Sequence, residues 1–581
     1  MTNKLVNYLK NLRHDPITII FFLAVLASFI YHLDLRTQHF QECDSSGTYH
    51  LMYGFPKEAL LYSAYSYPDS RLLSEDTARK LLNLKPAQYF AQTYLPDFTE
   101  ERLVNKLTRT NIFLAMRFVY IQAVSSLHLP HALESMFALP FSATFSPGYG
   151  LIYGLVTGAN YNYEQFMSRA TLVTTIFFHL AVLLVYFTGR KLKASAFASA
   201  IAASLMLFAI TMYGSNYDVG SRPWNLISAV VWVWCLAKYA DSPKVLKKVS
   251  IASAILVYFN YLIVFFWAAF VLAESFRANR QSVKSFLKQI WQVLKTQKIA
   301  IVFIFLCGLI FFQPGQGFRG NISLGTMFSD IYYIVLNFFS FYTHSHWLNI
   351  GQFILGLLLI VLSIRAYFKL SKNQDDSVKI VSLTLLFIFV LYALAALVKA
   401  VGLAPNRQMV FLVAAIYPGI ALALDNLLLK SKFLNFNKIL TCVLVLFLAL
   451  GFSGLILRRV DALDRTAGIV FAQDVERVEV QDCSFNLVNK TWDTQTPVEF
   501  VDLTKFKSGQ TLLFLSQTTS FEKALKMWRE SYNLEVEIVS QKQDINLTYF
   551  VAYNPDFARF PFSRPNSLYE VKFKVIEVSK K

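Results

Sequence analysis

Long apolar runs separated by short clusters of lysine and arginine restrict this chain to a helical membrane protein. The first run, Ile17 to Leu33, is close to the 20 or so apolar residues that cross a bilayer core. Comparable runs extend roughly over Ala170 to Gly189, Ser195 to Gly214, Asn225 to Ala240, Ile299 to Gln313, Gln352 to Phe368, Ile380 to Val398, Met409 to Leu427 and Ile439 to Leu457. Composition agrees, with 55% hydrophobic and 16% charged residues and a mean hydropathy of +0.42. A water-soluble domain of this length carries more charge. The net charge of +18 is scattered between apolar runs, so it does not form the basic surface that nucleic acid requires.

Charge also sets the expected orientation. Lys4, Lys10 and Arg13 precede the first run, and no small-residue cleavage pattern follows it, so it reads as a retained anchor with a cytoplasmic N-terminus. Alternate connections are basic: Arg190, Lys191 and Lys193; Lys244, Lys247 and Lys248; Arg277 to Lys298; Lys369 and Lys372; Lys430 and Lys432. The run Ser250 to Ser275 has basic clusters on both sides. Two short half-helices that dip in and return satisfy the charge rule, with the turn near Asn260 and Tyr261 serving a protein-lined cavity. About eleven passes result, and odd parity puts the C-terminus on the extracytoplasmic side. The expected fold class is therefore an all-α polytopic membrane domain over residues 1–457, with a first outer loop over 34–169 and a small α/β domain over 458–581. Strand-length runs in that tail are Thr511 to Ser516, Val536 to Ser540, Leu547 to Tyr553 and Tyr569 to Val578, with an amphipathic segment from Phe521 to Tyr532. Short basic loops and the lack of organelle signals favour a bacterial inner membrane.

Ionisable residues then gather on the outer face. The first loop opens with Glu42, Cys43, Asp44, Tyr49 and His50; the second carries Asp218 and Arg222; the third carries Arg319, His344 and His346; the fourth carries Lys399 and Arg407. Each has a plainer role: Asp44 as a solvated acid or helix cap, Asp218 as a turn acid, Arg222 and Arg407 as interfacial anchors, the histidines as part of an aromatic belt. Cys235, Cys307 and Cys442 fall inside apolar runs, whereas Cys43 and Cys483 share the outer face, where an oxidising compartment permits a bridge. Nucleotide sugars and ATP are not supplied on that side. A transferase there would need a donor carried by a lipid, with cations for its phosphate and a carboxylate for the acceptor proton.

Several local patterns resemble the GT-C fold glycosyltransferases that use polyprenyl-phosphate sugars, the group containing protein O-mannosyltransferases and aminoarabinose transferases. They are the acid Asp44 opening the first outer loop, Ser146-Pro147-Gly148-Tyr149 before a span ending in Gly189-Arg190, Arg222-Pro223 opening the fourth span, and Arg407 followed by Tyr417-Pro418. The resemblance covers roughly Asp15 to Leu457. It implies inverting transfer of a hexosyl or pentosyl group from a polyprenyl-phosphate sugar to a glycan, lipid or protein hydroxyl. Asp44 would be the general base, and Arg222 and Arg407 would bind the lipid phosphate. Substrate contacts would come from Glu42, Tyr49, His50, Asp218, Asn260, Tyr261, Arg319 and His346, with membrane lipid as a further partner. Ser45 follows Asp44 where many relatives have a second acid. Metal use therefore stays open, with a divalent cation as the one candidate cofactor. A secondary transporter and a non-catalytic envelope-assembly protein are the other classes compatible with these features.

Overall fold

A computed structural model describes residues 15–35, 75–83, 148–157, 163–209, 221–278, 282–310, 335–336, 338–341, 345–372, 375–397, 412–430, 437–468, 475–480, 508–509, 511–516, 521–522, 525–526, 532–543 and 569–580, with single residues between them. Helices occupy every apolar run. They are α1 (Pro16–Leu35), the short α2 (Glu75–Leu82), α3 (Gly148–Thr157), α4 (Tyr163–Lys191), α5 (Ala196–Phe208), α6 (Ser221–Tyr239), α7 (Val245–Val257), α8 (Ile263–Ala278), α9 (Val283–Thr296), α10 (Lys298–Ile310), α11 (His346–Leu370), α12 (Asp376–Leu397), α13 (Val413–Lys430) and α14 (Asn437–Gly468). Among the described residues, five helices (α1, α4, α11, α12 and α14) are long and apolar enough to cross a membrane by themselves, or six if the bent pair α9 and α10 counts as one span.

The central helix is α5, in which every residue from Phe197 to Phe208 is buried. Its alanines and serines let neighbouring backbones approach closely, the usual basis of helix packing in lipid. Ser195 caps it, accepting from the Ala198 amide at 3.3 Å. The preceding turn reverses the chain through Lys193, at φ 70°. Leu23, Leu26 and Ile30 of α1 are exposed, as are Leu355, Leu358 and Val361 of α11. Outward-facing aliphatic stripes like these suit hydrocarbon and not water.

One end of the bundle is tied together by charge. Lys191 pairs with Asp241 at 2.6 Å, Lys193 with Asp375 at 2.5 Å, and Arg277 with Glu274 at 2.7 Å and Asp376 at 3.0 Å. Asp425 accepts from the Ser195 amide at 3.0 Å. Lys193 hydrogen-bonded to Asp375 holds that carboxyl well below the usual carboxylate range, and Lys191 lowers Asp241 in the same way. The paired residues come from the end of α4, the turn before α5, the ends of α6 and α8 and the start of α12. These helix ends therefore share one face, the basic face of the bundle. Contacts at the start and end of α1 fit the same arrangement. The Thr18 and Tyr186 hydroxyls meet at 2.6 Å near the end of α4, and the Tyr31 hydroxyl donates to the Leu455 carbonyl at 3.2 Å in α14.

The chain breaks between α7 and α8, at Tyr258–Leu262, where the half-helix turn was expected. Both arms return to the basic face: Lys248 lies over the Tyr239 ring at 3.8 Å, and Arg277 pairs with Asp376. Three boundaries differ from expectation. The stretch Arg277 to Lys298, read as a loop, contains α9; the loop 34–169 contains α3 and the start of α4; and α14 continues to Gly468 beyond the expected end at Leu457. Charge patterning hid α9, and the tail boundary was placed where hydropathy, not helicity, ends.

The tail forms a four-stranded sheet of β1 (Val475–Val480), β2 (Thr511–Ser516), β3 (Tyr532–Gln543) and β4 (Tyr569–Lys580), in the order β1-β2-β4-β3. β1 and β2 are parallel, and β4 runs antiparallel to both β2 and β3. Val571, Phe573 and Val575 alternate along β4 and are fully buried, the period-two pattern of a sheet with one covered face. Phe521, a helical residue, packs its ring against Phe573 on that face, with centroids 4.8 Å apart and the planes tilted by 46°. The expected strand Leu547 to Tyr553 lies outside the described residues.

Candidate functional site

Most of the predicted site residues, namely Glu42, Asp44, Tyr49, His50, Asp218, Arg319, His344 and Arg407, together with Cys43 and Cys483, lie outside the described residues. Arg222 falls in the first turn of α6, ahead of Pro223, and His346 opens α11 behind its cap Ser345. Asn260 and Tyr261 occupy the turn between α7 and α8. These helix ends lie away from the ion-paired face.

That turn sits on a fixed aromatic floor. Asn260 is buried, and both ends of its amide are used: Nδ2 donates to the Asn225 carbonyl at 3.0 Å, and Oδ1 accepts from the Leu262 amide at 2.9 Å. The first bond ties the turn to α6 one turn below Arg222. The second closes a local side-chain turn that ends α7 and starts α8. In the same turn the Tyr258 carbonyl accepts from the Gly148 amide at 2.9 Å, joining the start of α3 to the hairpin. Gly148 has to be glycine or nearly so, because a Cβ there would lie 2.7 Å from the Phe259 ring.

A directed chain of hydrogen bonds runs beneath. Trp224 Nε1 donates to the Tyr153 hydroxyl at 2.9 Å, Tyr153 meets Thr174 Oγ1 at 2.9 Å, and Thr174 donates to the Ala170 carbonyl at 3.0 Å. An indole N–H can only donate and a carbonyl only accept, so the Tyr153 hydroxyl must donate to Thr174. Trp224 also stacks on Phe259 with centroids 5.8 Å apart. This floor contains no carboxylate, imidazole or cation of its own. It can hold α3, α4, α6 and the hairpin in fixed relation, and it supplies no acid, base or cation itself.

Two buried histidines went unnoticed in the sequence. His32, one turn before the end of α1, and His179, in α4, are both buried and are bridged by Ser28. His32 Nδ1 lies 2.6 Å from the Ser28 carbonyl and 3.2 Å from Ser28 Oγ, which lies 3.2 Å from His179 Nε2; His179 Nδ1 lies 2.8 Å from the Thr175 carbonyl. Since carbonyls only accept, both rings carry a proton on Nδ1, and Ser28 donates to His179 Nε2. The network fixes the end of α1 that leads toward Glu42 and Asp44. A histidine inside an apolar run is costly unless partnered, and that is the signal that would have found it.

The whole is a polytopic helical membrane protein with one basic, ion-paired face and a set of helix ends and a hairpin turn gathered away from it. No family model matches the sequence, and no curated protein matches it. Among solved structures, the chain is similar to the Archaeoglobus fulgidus oligosaccharyltransferase in complex with Zn and sulfate, with 13% identity and a TM-score of 0.34, over 63% of this chain. The match spans about half (51%) of the other protein. A likeness this weak assigns no residue, substrate or partner here. No group of three or more histidine, cysteine, aspartate or glutamate side chains that could hold a metal gathers among the described residues.

Proposed function

We propose that this protein is an integral membrane glycosyltransferase that moves a sugar from a polyprenyl-phosphate donor to an acceptor hydroxyl on the extracytoplasmic face. The observation that carries it is the sorting of helix ends. The helix ends that lead toward Asp44, Asp218 and Arg407, and the first turn of α6 holding Arg222, are the ends opposite the basic face, where Asn260 ties the hairpin turn to α6. We read the basic face as cytoplasmic by the positive-inside rule; the expected count of about eleven passes then puts the N-terminus inside and the sheet domain outside.

In this reading Asp44 takes the acceptor proton as the hydroxyl oxygen attacks the anomeric carbon. The C1–O bond to the lipid phosphate breaks, and the phosphate leaves with its electron pair toward Arg222 and Arg407. The carbon inverts. Asn260 serves as a brace for the turn, since its amide is already committed on both sides. The test is transfer of label from a panel of radiolabelled polyprenyl-phosphate sugars in membranes containing wild type or Asp44→Asn. Loss of a general base should cut the rate on the order of 10²- to 10⁴-fold. Full activity in Asp44→Asn would overturn the assignment, and absence of transfer from every donor would overturn the class.

A further inference from the structure

Between Arg277 and Lys298 the sequence contains six basic residues, Arg277, Arg280, Lys284, Lys288, Lys295 and Lys298, and no acid. Folded, most of this stretch is α9, which begins on its own terms. Ser282 Oγ accepts from the Ser285 amide at 3.2 Å, and Ser285 Oγ accepts from the Ser282 amide at 3.1 Å, a reciprocal cap that fixes the helix start. The other end is fixed to the bundle. Gln297 donates to the Leu246 carbonyl at 2.8 Å and accepts from Trp267 Nε1 at 3.3 Å, while the Ala300 amide donates to Ser250 Oγ at 3.1 Å.

Beyond that joint the chain turns by 80° into the apolar α10. A helix bent through nearly a right angle from one that enters the bilayer must run along its surface. Its surroundings divide three ways. Val293 is buried against the bundle; Val283, Leu287 and Trp291, four residues apart and so in one stripe, are 76%, 59% and 62% exposed; Lys284, Lys288 and Lys295 are exposed beside that stripe. Lys295 sits 5.8 Å from the Trp291 ring centre. An apolar stripe carrying a tryptophan and flanked by lysines without acids is the pattern of a helix lying in a headgroup layer, where lysine stems snorkel and their ammonium groups meet phosphate.

We propose that α9 is an in-plane anchor on the cytoplasmic leaflet that binds anionic phospholipid, with Val283, Leu287 and Trp291 among the acyl chains and Lys284, Lys288 and Lys295 at the phosphates. It depends on the basic face being cytoplasmic and is independent of the transfer reaction. The full chain, reconstituted in vesicles of phosphatidylcholine with or without phosphatidylglycerol, gives the test. Trp291 fluorescence is read as the difference between wild type and Trp291→Phe, with brominated lipids or aqueous acrylamide as quencher.

The expected result is quenching by brominated lipid over acrylamide, stronger with brominated phosphatidylglycerol than with brominated phosphatidylcholine. The triple variant K284Q/K288Q/K295Q should lose that preference by about fivefold per lysine removed. Quenching by acrylamide alone would overturn the proposal and make α9 a docking face for a soluble protein. An unchanged lipid preference in the triple variant would overturn the anionic recognition. Neither readout involves sugar transfer, so failure here leaves the enzymatic reading intact, and inactivity of Asp44→Asn leaves this one intact.

Discussion

Replacing Asn260 by alanine tests whether its amide is a brace or a ligand. The substitution removes the donor to the Asn225 carbonyl and the acceptor for the Leu262 amide. The carbonyl keeps a longer contact from Ser228 Oγ at 3.3 Å, so its loss is the ordinary net value of about 1 kcal/mol. The Leu262 amide loses its side-chain acceptor at a half-buried position, which costs about 1 to 2 kcal/mol. Together the turn should open more easily by about 2 to 3 kcal/mol, or roughly 30- to 140-fold in population. Hydrogen exchange in detergent reads this directly at the Ile263 and Phe265 amides, whose carbonyl partners lie inside the turn. Asn260→Asp separates the two bonds, because it keeps the acceptor and loses the donor. Unchanged exchange in Asn260→Ala, accompanied by weakened donor use, would refute the brace and make the residue a substrate contact.

Gly148→Val should lower the thermal unfolding midpoint in detergent, at a cost of about 1 to 3 kcal/mol, because a Cβ would lie 2.7 Å from the Phe259 ring. Trimming the ring in Gly148→Ala/Phe259→Leu should recover most of the loss seen in Gly148→Ala, and additive losses in place of recovery would show that the two residues do not meet. Asp375→Ala removes the Lys193 pair and the bond to the Ser377 amide at 3.0 Å, with a loss of about 1 to 2 kcal/mol in unfolding experiments near neutral pH. Because the folded carboxyl is held below its ordinary value of 3.8, its contribution is complete above that value and fades only as pH falls through the lower folded one. The difference between wild type and variant should therefore stay constant from about pH 7 to pH 5; a difference already shrinking by about pH 6 would contradict the pairing.

Apolar runs bounded by basic clusters were enough to locate the long apolar helices, since both signals are one-dimensional, but not α2, α3 or α9. Basic residues on both sides of Ser250 to Ser275 required a reversal, and the chain does break at Tyr258–Leu262. Residues Thr511 to Ser516 form β2 with the expected bounds, while β3 extends from Tyr532 to Gln543 because β4 offers a partner along that whole length. The helix α9 was hidden because its lysines read as a loop, although Val283, Leu287 and Trp291 carried a helical period. Asn260 was located correctly, but a sequence cannot show that Asn225, 35 residues earlier, already uses its amide. Ser28, His32 and His179 are equally silent. Their meeting depends on α1 packing against α4 across a sequence separation of 151 residues.

The break at Tyr258–Leu262 also bears on how the chain is made. With 13 residues and Lys247 and Lys248 in its first turn, α7 is too short and too charged to hold a bilayer position by itself. The 16 residues of α8 carry Arg277 in their last turn and are little better placed. During synthesis the two must therefore enter the membrane as a closed loop, after Arg277 has emerged. A nascent chain arrested before α8 should leave Val245–Val257 accessible from the side of the basic face, with α6 as the last segment stably inserted.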